Sequence, residues 1–247
     1  MNQPRKPRGF IGLIPARGHS KAIPDKNLQE VGGVPLLARG VRTAMSVKSI
    51  ERVIVSTDLE KLAQVAREEG AEVPFLRPPE LSRDDSPTWE VVRHVWDYLQ
   101  NVDQQGTEEV EGIVLLQPTS PYLRPESIDR AVQEFCRADA LCLKAVRKAA
   151  DHPNWMLRPQ GSLLVPYNQD KVTRRQDLPA LYYPCGAIYV YNRRLLARSE
   201  LDPSEPVSWI ELDWPECMDI DNPEDLLLAQ AVSTLDYESE QYLDSVP

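Results

Sequence analysis

The chain has 247 residues, 42% of them hydrophobic, and a net charge of −10 at pH 7. Its length is enough to bury a sizeable core, and its acidic balance argues against a broad nucleic-acid or anionic-membrane face. No apolar run reaches the length of a membrane span, and the start, MNQPRKPRGF, has no long apolar stretch of the secretory type, so a cytoplasmic location is expected. The four cysteines form no CxxC pair and have no histidine cluster near them in sequence, which argues against a zinc site.

In chain order, residues 10–14 (FIGLI) read as a buried strand. The loop that follows, PARGHSKAIPDKN, is broken by Pro15, Gly18 and Pro24 and carries Arg17, Lys21 and Lys26. Proline cannot continue a helix, so the three cations sit on a strand-end loop suited to a polyphosphate; on charge alone it also reads as a solvated basic loop. Residues 53–56 read as a strand, 59–69 as a helix closed by Gly70, and 73–76 as a short strand containing Pro74. A helix is expected over 87–100, capped by Asp85 or Ser86. The strand at 112–116 runs directly into Gln117-Pro118-Thr119-Ser120-Pro121, and Pro125 opens a helix to residue 136. Strands alternating with helices imply an α/β fold with a mainly parallel sheet covered on both faces. In such sheets ligands sit beyond the carboxyl ends of the strands, where both the cationic loop and the QPTSP turn fall.

Residues 151–184 differ in character. They contain five prolines, show no long period, and carry Trp155, Tyr167, Tyr182 and Tyr183. The segment reads as an excursion from the sheet, either an arm that packs on a partner subunit or a surface lobe of the same subunit. Residues 186–191 return as a strand, 222–232 read as a helix, and 235–247 form an acidic tail.

Several constellations carry chemistry. Asp219-Ile220-Asp221 places two carboxylates on one side of an extended segment, a donor pair suited to Mg²⁺; the plain alternative is that Asp221 or Asn222 caps the next helix. The side chains of Gln117, Thr119 and Ser120 could hydrogen-bond a base, a ribose or a sugar, or simply form a polar turn. Arg174-Arg175-Gln176 is a small basic knot that could receive a carboxylate. No Ser/His/Asp arrangement, GxGxxG or GxxxxGK[ST] is present.

The ordered set PARGHSKAIPDKN, IVSTD, LRPPEL, LLQPTSP, RRQDLP, GAIYV and DIDNPEDL resembles the acylneuraminate cytidylyltransferase (CMP-sialic acid synthetase) family over most of the chain. That resemblance implies one Rossmann-like three-layer nucleotidyltransferase domain over 1–247, with a protruding dimerisation and acceptor-site arm at 151–184. It implies a homodimer that couples CTP to an acidic sugar with Mg²⁺. Residue by residue, Arg17 and Lys21 would hold the triphosphate with support from Lys26, and Asn27, Arg77, Ser86 and Thr88 would line the cytidine pocket. Gln117, Thr119 and Ser120 would lie on the acceptor side, and Arg175 and Gln176 would reach the sugar from the partner subunit. Asp219 and Asp221 would form the metal pair, with Asp221 also helping to deprotonate the sugar hydroxyl; Arg17, Lys21 and Asp221 are the catalytic candidates. The chain departs from the family pattern at Ala22, where glycine is usual, and at Tyr183 and Cys185, where arginine and asparagine are common. Cysteine cannot reproduce an amide's paired donor and acceptor, so legionaminate, pseudaminate or a small phosphonate stand as alternative acceptors. A nucleotide-binding relative without catalysis is the alternative of a different class.

Overall fold

A computed structural model describes residues 9–102, 110–168 and 174–235. Its centre is a six-stranded sheet in the order β10-β6-β9-β5-β1-β4, made of β1 (Phe10–Pro15), β4 (Ile50–Ser56), β5 (Gly112–Leu116), β6 (Cys142–Lys148), β9 (Tyr182–Asn192) and β10 (Ser208–Glu211). β1 pairs in parallel with β4 and β5, and β10 with β6, while β9 is antiparallel to both β5 and β6. The five strands other than β9 therefore share one direction, and β9 begins at the edge where they end.

The strands alternate between two cores, as the pleat requires. Phe10 and Ile14 of β1 and Val114 and Leu116 of β5 face one core; Ile11, Leu13, Ile113 and Leu115 face the other. Helices α1 (Leu36–Met45), α2 (Glu60–Glu68) and α4 (Pro125–Ala138) cover the first face, inserting Leu37, Val41, Leu62, Ala66, Ile128, Val132 and Phe135. Helices α3 (Thr88–Asn101) and α5 (Arg193–Leu196) cover the second with Val92, Val95, Trp96, Leu99, Leu195 and Leu196. On α3 the buried positions 91, 92, 95, 96 and 99 form the stripe expected of a helix lying on a sheet. This is the three-layer arrangement expected from the alternation of strands and helices.

A third cluster joins α6 (Pro223–Thr234) to the small hairpin of β2 (Glu30–Val31) and β3 (Val34–Pro35) through Ile23, Val31, Met218, Ile220, Ala229 and Val232. The Asn222 side chain caps α6 in a capping box with Asp225. This bears out the helix expected over 222–232 and the plainer role foreseen for Asn222 beside the aspartate pair.

Three local expectations are corrected. Residues 73–76 form no strand; the segment touches the sheet only through isolated bridges, Ile54 with Glu72 and Thr57 with Leu76, because Pro74 has no N–H to continue a ladder. Helix α3 starts at Thr88 with Pro87 as its N-cap and no side-chain cap. The Ser86 hydroxyl instead donates to the Glu80 carbonyl at 2.8 Å, and neither Asp85 nor Ser86 caps the helix. The sheet also resumes at Tyr182, earlier than residue 186, because Tyr182, Tyr183 and Pro184 already pair with β6.

Between β6 and β9 the described chain forms an exposed hairpin, β7 (Leu157–Gln160) with β8 (Leu163–Pro166), paired only with each other. Its turn uses Gly161 at φ +62°, a left-handed conformation that suits glycine. Leu157, Leu163 and Leu164 are all more than half exposed. The acidic tail after residue 235 lies outside the described residues.

Candidate active site

The carboxyl ends of β4, β1 and β5 lie side by side, so the loops leaving them converge. The loop after β1 is held open by two hydrogen bonds and one close backbone approach. The Gly18 N–H donates to Asp58 Oδ1 at 2.7 Å, and the buried Asn27 amide donates to the Arg17 carbonyl at 2.9 Å. A side chain at Gly18 would place its Cβ 2.9 Å from Leu59 Cβ, closer than real contacts allow. The loop is thereby shaped before any ligand arrives, and it projects Arg17 and Lys21 outward.

Both cations meet the same carboxylate. Arg17 lies 2.9 Å from Asp84 Oδ1 and Lys21 lies 2.8 Å from Asp84 Oδ2, and Arg17 also donates to the Arg83 carbonyl at 3.3 Å. The Lys21 hydrogen bond leads, with Arg17 and His19 nearby, in holding the Asp84 carboxyl below its ordinary range. The Asp84 loop continues through Ser86 into Thr88 at the start of α3. Beneath it Arg77 is buried, with its Nε donating to Ser56 Oγ at 3.0 Å and its Nη2 donating to the Ser56 carbonyl. Desolvation lowers the Arg77 pKa to about 10, against the pull of Asp58, and the guanidinium stays charged at neutral pH.

A second cluster forms where the chain runs into α6. Lys26 Nζ donates to the Ile220 carbonyl and lies 3.4 Å from Asp221 Oδ1. The Ile220 N–H donates to the Thr119 carbonyl at 3.0 Å, and the Thr119 side chain hydrogen-bonds Asp219. The QPTSP turn thus ties the aspartate segment to the end of β5. Asp219 Oδ1 is buried without a hydrogen-bond partner among the described residues, and burial raises its pKa above the ordinary carboxylate value. A buried anionic oxygen with no donor is costly unless something positive meets it, and oxygen donors of this kind suit a hard divalent cation. Gly186, at φ +81°, leaves the room: a Cβ there would lie 3.1 Å from Asp219 Oδ2. Asp221 is exposed, and its own N–H donates to Asp225 at 2.9 Å.

The other expected site residues are distributed as follows. Gln117 is half-buried, its N–H donating to the Ala187 carbonyl at 3.3 Å. Ser120 is buried and its hydroxyl has no partner. Cys185 is buried among the apolar residues of the first core, and burial pushes its thiol pKa up. Arg175 opens a short 3-10 helix, Arg175–Asp177. Gln176 is exposed and lines a cavity of about 420 Å³ with Lys148, His152, Leu178 and Leu181. Three participants receive no role from sequence reasoning: Asp84, whose cation partners lie more than sixty residues away; Asp58, which closes the IVSTD motif and shapes the loop; and Tyr189 of the GAIYV motif, half-buried within electrostatic reach of Asp219 and Cys185.

Residues 11–230 match the family model described as Cytidylyltransferase. The chain belongs to the cytidylyltransferase family. This cytidylyltransferase is accordingly a nucleotidyltransferase enzyme. It is 33% identical over 234 residues to the CMP-N,N'-diacetyllegionaminic acid synthase of Legionella pneumophila, covering 93% of this chain and 98% of that one. It is 31% identical over 194 residues to the N-acylneuraminate cytidylyltransferase of Streptococcus agalactiae, but spans only 45% of that longer protein. Among solved structures, CMP:2-keto-3-deoxy-manno-octonic acid synthetase complexed with CTP superposes with a TM-score of 0.68 at 19% identity, covering 92% of this chain and 98% of that one. That likeness shows a shared fold.

Proposed function

We propose that this cytidylyltransferase couples CTP to a nine-carbon 2-keto acid sugar of the nonulosonic class, releasing pyrophosphate. The observation that carries this reading is a strand-end loop that bears the Arg17 and Lys21 cations and is joined through Lys26 to an aspartate pair, whose Asp219 Oδ1 is buried and unpartnered among the described residues. A relative matched over nearly its full length at 33% identity is a CMP-N,N'-diacetyllegionaminic acid synthase, and a pseudaminic acid cytidylyltransferase is matched as fully at 27% identity, which together favour a legionaminate-type acceptor over sialate.

In this reading the anomeric hydroxyl attacks the α-phosphorus of CTP, one P–O bond forms, and the bond to pyrophosphate breaks. Asp221 accepts the hydroxyl proton, and Arg17 and Lys21 stabilise the charge on the departing pyrophosphate. Asp219 and Asp221 would hold Mg²⁺, which when bound supplies neutralisation of the phosphate charge. Lys26, fixed on the Ile220 carbonyl, keeps the aspartate segment beside the cationic loop. Arg77, Asn27, Ser86 and Thr88 form the nucleoside side, and Gln117 and Thr119 the acceptor side, with Ser120 and Cys185 as its buried backing. Positioning supplies most of the acceleration, since little covalent chemistry falls to the protein.

The arm at 151–184 is read as the dimer contact that brings Arg175 and Gln176 to the acceptor of the partner subunit. Its exposed Trp155, Met156, Leu157, Leu163, Leu164 and Tyr167 form the kind of apolar surface that monomers seldom leave open. The test is pyrophosphate release from CTP and Mg²⁺ with N,N'-diacetyllegionaminate, pseudaminate, N-acetylneuraminate, 3-deoxy-manno-octulosonate and small phosphonates. Release with a nonulosonate supports the proposal and names the acceptor. Binding of CTP without release for any acceptor would point to the non-catalytic alternative, and no CTP binding would overturn the nucleotide assignment.

A further inference from the structure

Asp84 occupies the place that the cationic loop keeps for an anion. One carboxylate spans both cations, Oδ1 to Arg17 at 2.9 Å and Oδ2 to Lys21 at 2.8 Å, as two oxygens of a phosphate group would. The Arg83 carbonyl adds a second acceptor to the Arg17 guanidinium, at 3.3 Å. Asp84 is no structural anchor of the fold. It is exposed, and it caps no helix, since α3 begins three residues after Asp85 with Pro87 as its N-cap. The short 3-10 turn of Pro79–Leu81 and the Ser86 hydroxyl on the Glu80 carbonyl hold the loop from its two ends, so its tip can retract without unfolding either neighbour.

From this geometry we infer that Asp84 is an internal phosphate mimic, a lock that closes the triphosphate subsite until the nucleotide displaces it. The inference rests on the proposed placing of the triphosphate on Arg17 and Lys21. With Asp84 in contact the three side chains sum to a single positive charge; with it withdrawn they offer two to the ligand. A nucleoside without phosphates has nothing to exchange with Asp84 and gains nothing from its removal. The lock therefore acts as a filter for phosphate charge.

The experiment is isothermal titration of the full-length wild type, Asp84→Asn and Asp84→Ser with CTP, inorganic tripolyphosphate and cytidine, with thermal melts of each protein. Two exposed ion pairs are involved, so the expected result is that both variants bind CTP and tripolyphosphate roughly threefold to tenfold more tightly than wild type, with cytidine affinity unchanged. Equal or weaker binding of the phosphate ligands would overturn the inference and make Asp84 a residue that pre-orients the cations. Tighter binding of cytidine in the same proportion would also overturn it, since loop loosening would then explain the gain. If no protein binds CTP, the nucleotide reading fails by itself, and tripolyphosphate still decides whether Asp84 competes for the cations.

Discussion

In the proposed reading, Asp219 is the residue at which stability and function oppose each other. Burial raises its folded pKa above the ordinary 3.8. The folded state therefore holds the proton more tightly than the unfolded chain, and the stability linked to this group is complete below the unfolded pKa and lost as pH rises through the folded one. At neutral pH the ionised carboxylate costs stability, so Asp219→Asn is expected to raise the melting temperature by a few degrees while abolishing turnover, and the gain should vanish in acid; scanning calorimetry at neutral and acidic pH checks both. A variant no more stable than wild type at pH 7 would show that the carboxylate is already satisfied. Arg17→Ala and Asp221→Ala are each expected to lower turnover on the order of a hundredfold or more, read by pyrophosphate release. Much of this was legible in the sequence, because the DID triplet and the PARGHSK loop are local patterns whose residue types state their chemistry. Asp84 and Thr119 were not, because their roles arise from partners brought together only by the sheet.

At the scale of elements, two helix starts secure the aspartate segment from either side. Asn222 caps α6 in its own sequence neighbourhood, and Asn222→Ala is expected to cost about 1 kcal/mol, measured by urea denaturation. Helix α4 is capped from a distance. Glu216, buried at 4% exposure, accepts from the Arg124 N–H at 2.9 Å, from the Arg124 guanidinium at 3.0 Å and from the Ser127 hydroxyl at 2.8 Å. Glu216→Ala would leave all three donors to be satisfied otherwise and is expected to cost about 3 kcal/mol. If Glu216→Ala melts like wild type, the segment has another anchor. The first cap could be read from an Asn-Pro-Glu-Asp string; the second could not, since Glu216 and Arg124 are separated by 92 positions. The expected cap of α3 failed for a related reason: a capping residue type is necessary but not sufficient when a neighbouring contact, here the Glu80 carbonyl for Ser86, draws the side chain elsewhere.

For the whole molecule, the alternation of strands and helices disclosed the three layers. The direction of β9 stayed hidden, because a central antiparallel strand reads as a buried apolar run like its parallel neighbours. The proposed dimer gives a test at this scale: replacing Leu163 and Leu164 with glutamate should convert a dimer into a monomer in light scattering and weaken the acceptor more than CTP. An unchanged mass would remove the hairpin from the interface. The place of β9 has a consequence for how the protein is made. It sits between β5 and β6, yet it is synthesised after both, so a chain still on the ribosome with only its first 181 residues has a gap in the middle of its sheet. Two buried-type strand edges then wait unpaired, the condition under which chains stick to one another. A fragment ending at residue 181 should accumulate as aggregate, and supplying the segment from 182 onward in trans should rescue it. The last quarter of the chain is thus the closing piece of the sheet.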